Sequence, residues 1–352
     1  MELKFKEADD GYRATFITGG RCGLLLNRER EGVVYFNYSD GDGEPVPIPY
    51  ADRRKDIYIP FNLPSGVWVT VVSKTPVLYA AVSGDAIPEP QADPNQKYYP
   101  NAIQDYDGNW YNALIVGDQV WLAENLKTTH YADGTEIPIG TEQSKDTSYR
   151  YYPNGDSTNM TNYGYLYNAA ALLYGESMSS ENPSGVQGIA PTGWHIPSAA
   201  EWTQLCNYFS TIPDYFPEGY PAQISKAIAS DYGWNTSTVA SSPGNNQQLN
   251  NATLLCLPPS GACNGYTGGN LHYLGIGNFA GLWTCSQNTT YPKYISIFEV
   301  EYHTSSPRFT YDAAEDAYPV RCICNKTPAE FAEWYVKTYK TTNHQVENKY
   351  AE

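Results

Sequence analysis

The sequence predicts an α+β protein: an all-β sandwich in front, a mixed α+β domain behind it, and a helical tail. Three observations carry this prediction. Residues 1–84 alternate short β-branched and aromatic runs with turn signals and show no helical period. Between 105 and 325 only two segments read as helices, and the remainder is short strands and long polar loops. A helix-start signal recurs at Thr327-Pro-Ala-Glu330.

The sandwich strands are read from Leu3–Phe5, Tyr12–Ile17, Gly32–Tyr38, Asp56–Pro60, Val67–Val72 and Val77–Val82. Turn signals such as Asp40-Gly-Asp-Gly43 and Pro64-Ser-Gly66 separate them. Asp40, Asp42 and Glu44 resemble a calcium loop in composition, but the glycine comes too early and no ligand ladder follows, so a hairpin turn is expected. Residues 85–104, with Pro88, Pro90, Pro94 and Pro100, read as a semi-extended linker. In the second domain, 105–325, Ser198 and Glu201 have capping-box spacing. Trp202, Leu205, Cys206 and Phe209 then fall on one apolar helix face. A second helix is predicted over Tyr165–Tyr174, with Gly175 as its cap. Strands are expected at Leu254–Leu257, Gly281–Thr284, Tyr294–Phe298 and Tyr318–Cys322. In the tail, 326–352, Phe331, Trp334, Tyr335 and Tyr339 form an aromatic stripe. A terminal helix docked on the protein body is the expectation, and a homo-oligomer or partner contact the alternative.

Composition narrows the function classes. Lys and Arg number 22 against 38 Asp and Glu, a net charge of −16, and the basic face that a nucleic-acid backbone requires is not expected. The charge is uneven: residues 1–84 hold ten basic and eleven acidic residues, and the other twelve and twenty-seven follow. Thirty-two tyrosines and a charged fraction of only 17% exclude a disordered chain. No apolar run is long enough for a transmembrane span. The N-terminus, Met1-Glu-Leu-Lys-Phe-Lys, lacks the apolar stretch of a signal peptide, so either a leader was removed or synthesis and assembly are cytosolic.

Catalytic motifs are sparse. Cys256…Cys263 and Cys322-Ile-Cys324 lack the spacing of a zinc knuckle, and seven cysteines make a poor disulfide framework. There is no Gly-x-Ser-x-Gly elbow and no phosphate-cradling Gly-rich loop, so neither enzyme activity nor a cofactor or metal is expected. His195 reads as a structural residue at a helix entry, and Asp105 and Asp107 as a solvated turn rather than an acid–base pair. Recognition is the better-supported class. The candidate ligand-binding residues are Trp283, Asn288, Tyr291, Tyr294, Tyr302, His303, Arg308 and Tyr311, because aromatic faces stack on sugars or peptides and Asn supplies directional hydrogen bonds. Alternate positions such as Ile295, Ile297 and Val300 are expected in the core, with about half of the aromatics exposed.

Five blocks in order carry a family resemblance. They are Asp107–Gly134 (Asp-Gly-Asn-Trp-Tyr…Trp-Leu-Ala-Glu-Asn-Leu-Lys), Tyr163–Asn168, Ala190–Trp202 (Ala-Pro-Thr-Gly-Trp-His-Ile-Pro), Gly281–Ser286 and Tyr318–Ile323 (Tyr-Pro-Val-Arg-Cys-Ile). Over about 105–325 the chain resembles the Fibrobacter succinogenes major paralogous domain, common in gut Bacteroidetes and related to the C-type-lectin-like fold. In that family a Cys often precedes Pro-Thr-Gly-Trp, but here the residue is Ala190, so a disulfide from that position to Cys322 is unavailable. The calcium-binding tripeptides of sugar-binding C-type lectins are absent, so calcium-dependent lectin activity is not implied.

The N-terminal domain more weakly resembles small β-domains that begin virion proteins of phages of Bacteroides-type hosts. Related lectin-like domains form phage receptor-binding tips. The resemblance implies a non-enzymatic virion protein of head-fibre or receptor-binding type, attached through its β-domain to virion subunits and recognising a host-surface glycan or protein. Alternatives are a bacterial cell-surface adhesin or lipoprotein, at the cell surface or extracellular, and an unrecognised hydrolase.

Overall fold

A computed structural model describes residues 3–17, 21–39, 46–62, 68–83, 98–215, 223–264, 271–335 and 338. The chain divides into two compact units, 1–94 with 336–352, and 95–335.

Among the described residues the first unit is built from two antiparallel sheets. One has five strands in the order Lys6–Ala8, Gly11–Ile17, Trp68–Ser73, Gly32–Ser39, Val46–Asp52. The other places Arg21–Arg28 between Asp56–Asn62 and Val77–Ser83. Alternation makes the core: Leu24 and Leu26 point inward with Val34, Ile57, Val69 and Val71, while Leu25 between them faces out. Two strands were not expected from sequence. Arg21–Arg28 has the continuous Leu24-Leu-Leu26 run, which masks a period of two. Val46–Asp52 carries Pro47 and Pro49, which a central strand would exclude; it is an edge strand, where the missing N–H groups are tolerated. At Leu3–Phe5 the strand is shifted to Lys6–Ala8. The turn 40–45 lies outside the described residues, so the reading of Asp40, Asp42 and Glu44 does too.

Among the described residues the second unit contains three antiparallel sheets. The first runs Trp194–His195, Ile323–Cys324, Gln119–Leu122, Trp110–Val116, Tyr98–Gln104. Its last strand lies in the segment read as linker. The second runs Arg150–Tyr151, Leu166–Asn168, Ala317–Tyr318, Ala262–Asn264, His272–Leu274. The third, Phe279–Gln287, Ile295–Glu301 and Arg308–Asp312, supplies core residues on both of its faces: Ile295 and Ile297 to one cluster, Phe298 and Val300 to the other.

The helix Ala199–Phe209 forms where its capping box predicts. Ser198 Oγ accepts from Glu201 N at 3.2 Å and Glu201 Oε2 accepts from Ser198 N at 2.9 Å. Trp202, Leu205 and Phe209 are buried, and Cys206 is half-buried.

The segment Tyr165–Tyr174 departs from its helical pattern. Leu166–Asn168 is a strand, and only Ala169–Leu173 is helical. Asn168 ends the one and caps the other through Ala171 N at 3.0 Å. The left-handed cap is Tyr174, at φ +48°, rather than Gly175 alone. Its ring stacks on Tyr131 at 3.6 Å, which compensates the unfavourable backbone.

Leu254–Leu257 is not a strand either. Leu254 and Cys256 adopt positive φ, and Leu255 and Leu257 are buried in a loop. The expected strand Tyr318–Cys322 is interrupted, with pairing only at Ala317–Tyr318 and Ile323–Cys324.

Residues 328–335 are helical. Thr327 N donates to Glu330 Oε2 at 2.9 Å, and Phe331 is fully buried between Tyr99 and Trp194 at ring distances of 5.2 and 6.1 Å. The tail helix therefore docks on its own unit. Tyr339 lies outside the described residues.

Candidate functional site

Because the third sheet has core on both faces, its solvent-facing part is an edge. Ile295–Val300 is buried throughout, whereas Arg308–Asp312 pairs only with that strand and alternates between exposed and half-buried positions. The pairs Phe298↔Phe309 and Ser296↔Tyr311 place Phe309 and Tyr311 on one side, and Glu299↔Arg308 places the arginine on the other.

The turn between the first two strands completes the edge. Asn288 Oδ1 accepts from Thr290 N at 3.0 Å and Tyr291 N at 2.8 Å, and Asn288 N donates to Tyr294 O at 2.9 Å. That clamp aims Tyr291 and Tyr294 at Tyr311, with ring centroids 5.0 and 5.2 Å away. Lys293 Nζ sits 4.7 Å over the Tyr294 ring. Tyr291, Phe309 and Tyr311 are 48%, 43% and 40% exposed, three large rings on one edge of the sheet.

The remaining predicted residues separate from this cluster. Trp283 is a correction: it is fully buried, its Nε1 donates to Tyr167 O at 2.7 Å, and its ring meets Tyr318 edge-on at 5.0 Å, so it cannot touch a ligand. Asn288 is a turn clamp, its acceptor oxygen already occupied. Arg308 donates to Glu299 Oε1 at 2.7 Å and Glu301 Oε1 at 2.8 Å, so two carboxylates already counter its charge. Tyr302 is half-buried against the core with its ring 4.6 Å from His303, and His303 is exposed beside Glu301. Phe309, an aromatic of the same sequence segment though not one of the eight candidates, stands on the side of the edge strand that carries Tyr311. Its spacing of two from Tyr311 puts both rings on one side of the strand.

At the end of the edge strand lies a carboxyl pair. Asp312 Oδ2 accepts from Tyr318 Oη at 2.6 Å, and Asp316 Oδ2 accepts from Ala313 N at 3.1 Å. Burial, then the hydrogen bond with Asp312 and its charge, push the Asp316 pKa up to about 8. In the unfolded chain this group ionises near its ordinary 3.8. Its stabilising contribution is therefore complete below about pH 4 and lost as pH rises through about 8. The melting temperature should fall between pH 5 and 8, and Asp316→Asn should flatten that slope. An unchanged slope in the variant would show that the pair shares no proton.

His195 is buried, its Nδ1 2.6 Å from Asn325 Oδ1 and its Nε2 2.7 Å from Glu201 Oε1. Both nitrogens are engaged, so the residue ties the helix entry to the closing strand. Asp105 and Asp107 bond separately: Asp105 accepts from Asn109 and Tyr111, and Asp107 from Thr128, Thr129 and His130. Burial pushes the Cys206, Cys256 and Cys263 thiols up to about 12 and Cys285 to about 11, which holds them in the un-ionised form. Among the described residues no group of three His, Cys, Asp or Glu is placed to hold a metal ion, and no helix is long and apolar enough to cross a membrane.

Fold and site thus define a β-rich α+β domain preceded by a small β-sandwich and exposing an aromatic sheet edge. The chain belongs to the Fibrobacter succinogenes major domain family, whose model matches residues 115–324. No curated protein and no solved structure matches it.

Proposed function

We propose that the chain is a non-enzymatic surface-binding protein that recognises a host-surface glycan or protein through the aromatic edge of its major domain. The carrying observation is the cluster of Tyr291, Tyr294 and Tyr311, held by a turn clamp and a sheet edge, with Tyr291 and Tyr311 exposed and Phe309 exposed on the same side of the edge strand. Rigid tyrosines give large contact area at low entropic cost. The N-terminal sandwich is the attachment module. Its resemblance to virion β-domains supports a phage head-fibre or receptor-binding protein at the virion surface. Capsid and portal genes beside the coding sequence would support that assignment, and a lipoprotein signal upstream would instead place the chain on a bacterial surface.

The test is binding of the full chain to intact host cells and a glycan array, compared with the double variant Tyr291→Ala/Tyr311→Ala. Central aromatics of an interface are worth about 2 kcal/mol or more, so roughly a thirtyfold loss of affinity is expected. Both side chains are half-exposed, so the melting temperature should move little. Unchanged binding would place the recognition surface elsewhere.

A further inference from the structure

A second site lies in the same unit and shares no residue with the aromatic edge. Ile103, Tyr106, Thr128, His130, Pro191 and Thr192 are among the residues lining an open pocket of about 230 Å³. Pockets for drug-sized ligands run to about 300–1,000 Å³, so this one suits a single small ring.

The pocket is held rigidly. Asp107 Oδ1 meets His130 Nδ1 at 2.5 Å, and the same carboxylate accepts from Thr128 Oγ1 at 3.0 Å and Thr129 Oγ1 at 2.7 Å. Partial burial opposes ionisation of Asp107, but the hydrogen bonds from Thr129, His130 and Thr128 outweigh it and bring its pKa to about 2. The carboxylate orients the imidazole by accepting from Nδ1, and no hydrogen bond among the described residues engages Nε2. Tyr106, 62% exposed, lies with its ring 5.4 Å from that of His130. Its other neighbour is Gly134, at φ +88°, where a Cβ would come within 2.8 Å of the tyrosine ring. A glycine there lets the aromatic face stand over the pocket.

The chemistry selects the ligand. Asp105 is occupied by Asn109 and Tyr111, and Asp107 by the His130 loop. No Lys or Arg is among the lining residues, and the chain carries a net charge of −16, so an anion finds neither partner nor favourable field. What remains is the Tyr106 ring, the His130 imidazole, the Gln104 carboxamide oxygen and the Thr192 hydroxyl. We propose that this pocket binds one neutral pyranose unit of a glycan, its CH face against Tyr106 and its hydroxyls on His130 Nε2 and Thr192.

Saturation-transfer NMR on the full chain tests this with the methyl glycosides of glucose, galactose, mannose and N-acetylglucosamine. At least one should bind saturably, with transfer strongest to the CH protons of one ring face. Tyr106→Ala should weaken it about tenfold, and His130→Ala about fivefold. Tyr291→Ala/Tyr311→Ala should leave it unchanged, which separates this site from the edge. No saturable binding by any of the four sugars, or binding indifferent to both pocket variants, overturns the proposal.

Discussion

Arg321→Ala is expected to destabilise the major domain by about 3–5 kcal/mol, the range for removing one member of a buried charged network. Arg321 is fully buried, and its guanidinium donates to four acceptors. They are Asn125 Oδ1 at 2.8 Å, Leu122 O at 3.0 Å, Leu255 O at 2.7 Å and Cys256 O at 2.7 Å. The last two belong to the loop whose positive φ values at Leu254 and Cys256 replace the expected strand. The loop turns its carbonyls inward because a donor fork waits there. Burial lowers the guanidinium pKa to about 10, still well above neutrality, so the charge is retained. Removing the side chain leaves these acceptors in a dry interior, each costing about 1–3 kcal/mol unless water enters. At about 2–4 °C per kcal/mol for a unit of this size, the melting temperature should fall by roughly 10 °C. Arg321→Lys should recover only part, since one ammonium cannot span four acceptors. Thermal and urea unfolding of the full chain decide it, and a loss below about 1 kcal/mol would mean that solvent replaces the fork.

Trp202→Ala should cost a similar amount, about 3–5 kcal/mol, by a different route. Trp202 is fully buried, stacked on Phe298 at 4.3 Å and 7°, with Trp121 at 4.5 Å on another side. Alanine opens a cavity between the helix and two sheets. Trp202→Phe provides the contrast. The indole Nε1 is buried without a hydrogen-bond partner, so phenylalanine keeps the stack and removes an unsatisfied donor. Its cost should stay under about 2 kcal/mol. A urea midpoint for the phenylalanine variant as low as that for alanine would show that the full indole volume, not the stacked ring alone, carries the packing.

Much of the fold was legible wherever the signal is local. Ser198 with Glu201 and Thr327 with Glu330 predict two helix starts, and both form with reciprocal hydrogen bonds. The misreadings occur where long-range pairing outweighs local preference. Tyr165–Tyr174 has helical composition, but Leu166–Asn168 lies between Arg150–Tyr151 and Ala317–Tyr318, and strand pairing takes its first half. Of the eight candidate binding residues, Tyr291, Tyr294 and Tyr311 converge, while Trp283 is core and Arg308 is matched by Glu299 and Glu301. The His130 pocket joins residues 103–106, 128–132 and 189–192, and no spacing along the chain announces it.

By itself the sequence determined the α+β class, the capped helices, the acidic and tyrosine-rich character of the second domain, and the motifs that mark the family. These depend on neighbours a few residues apart, which the chain order specifies directly. Only the tertiary structure decided which aromatics face solvent. The Phe279–Gln287 and Ile295–Glu301 strands are covered on both sides, so alternation along them no longer separates inside from outside, and exposure passes to the edge strand and its adjoining turn.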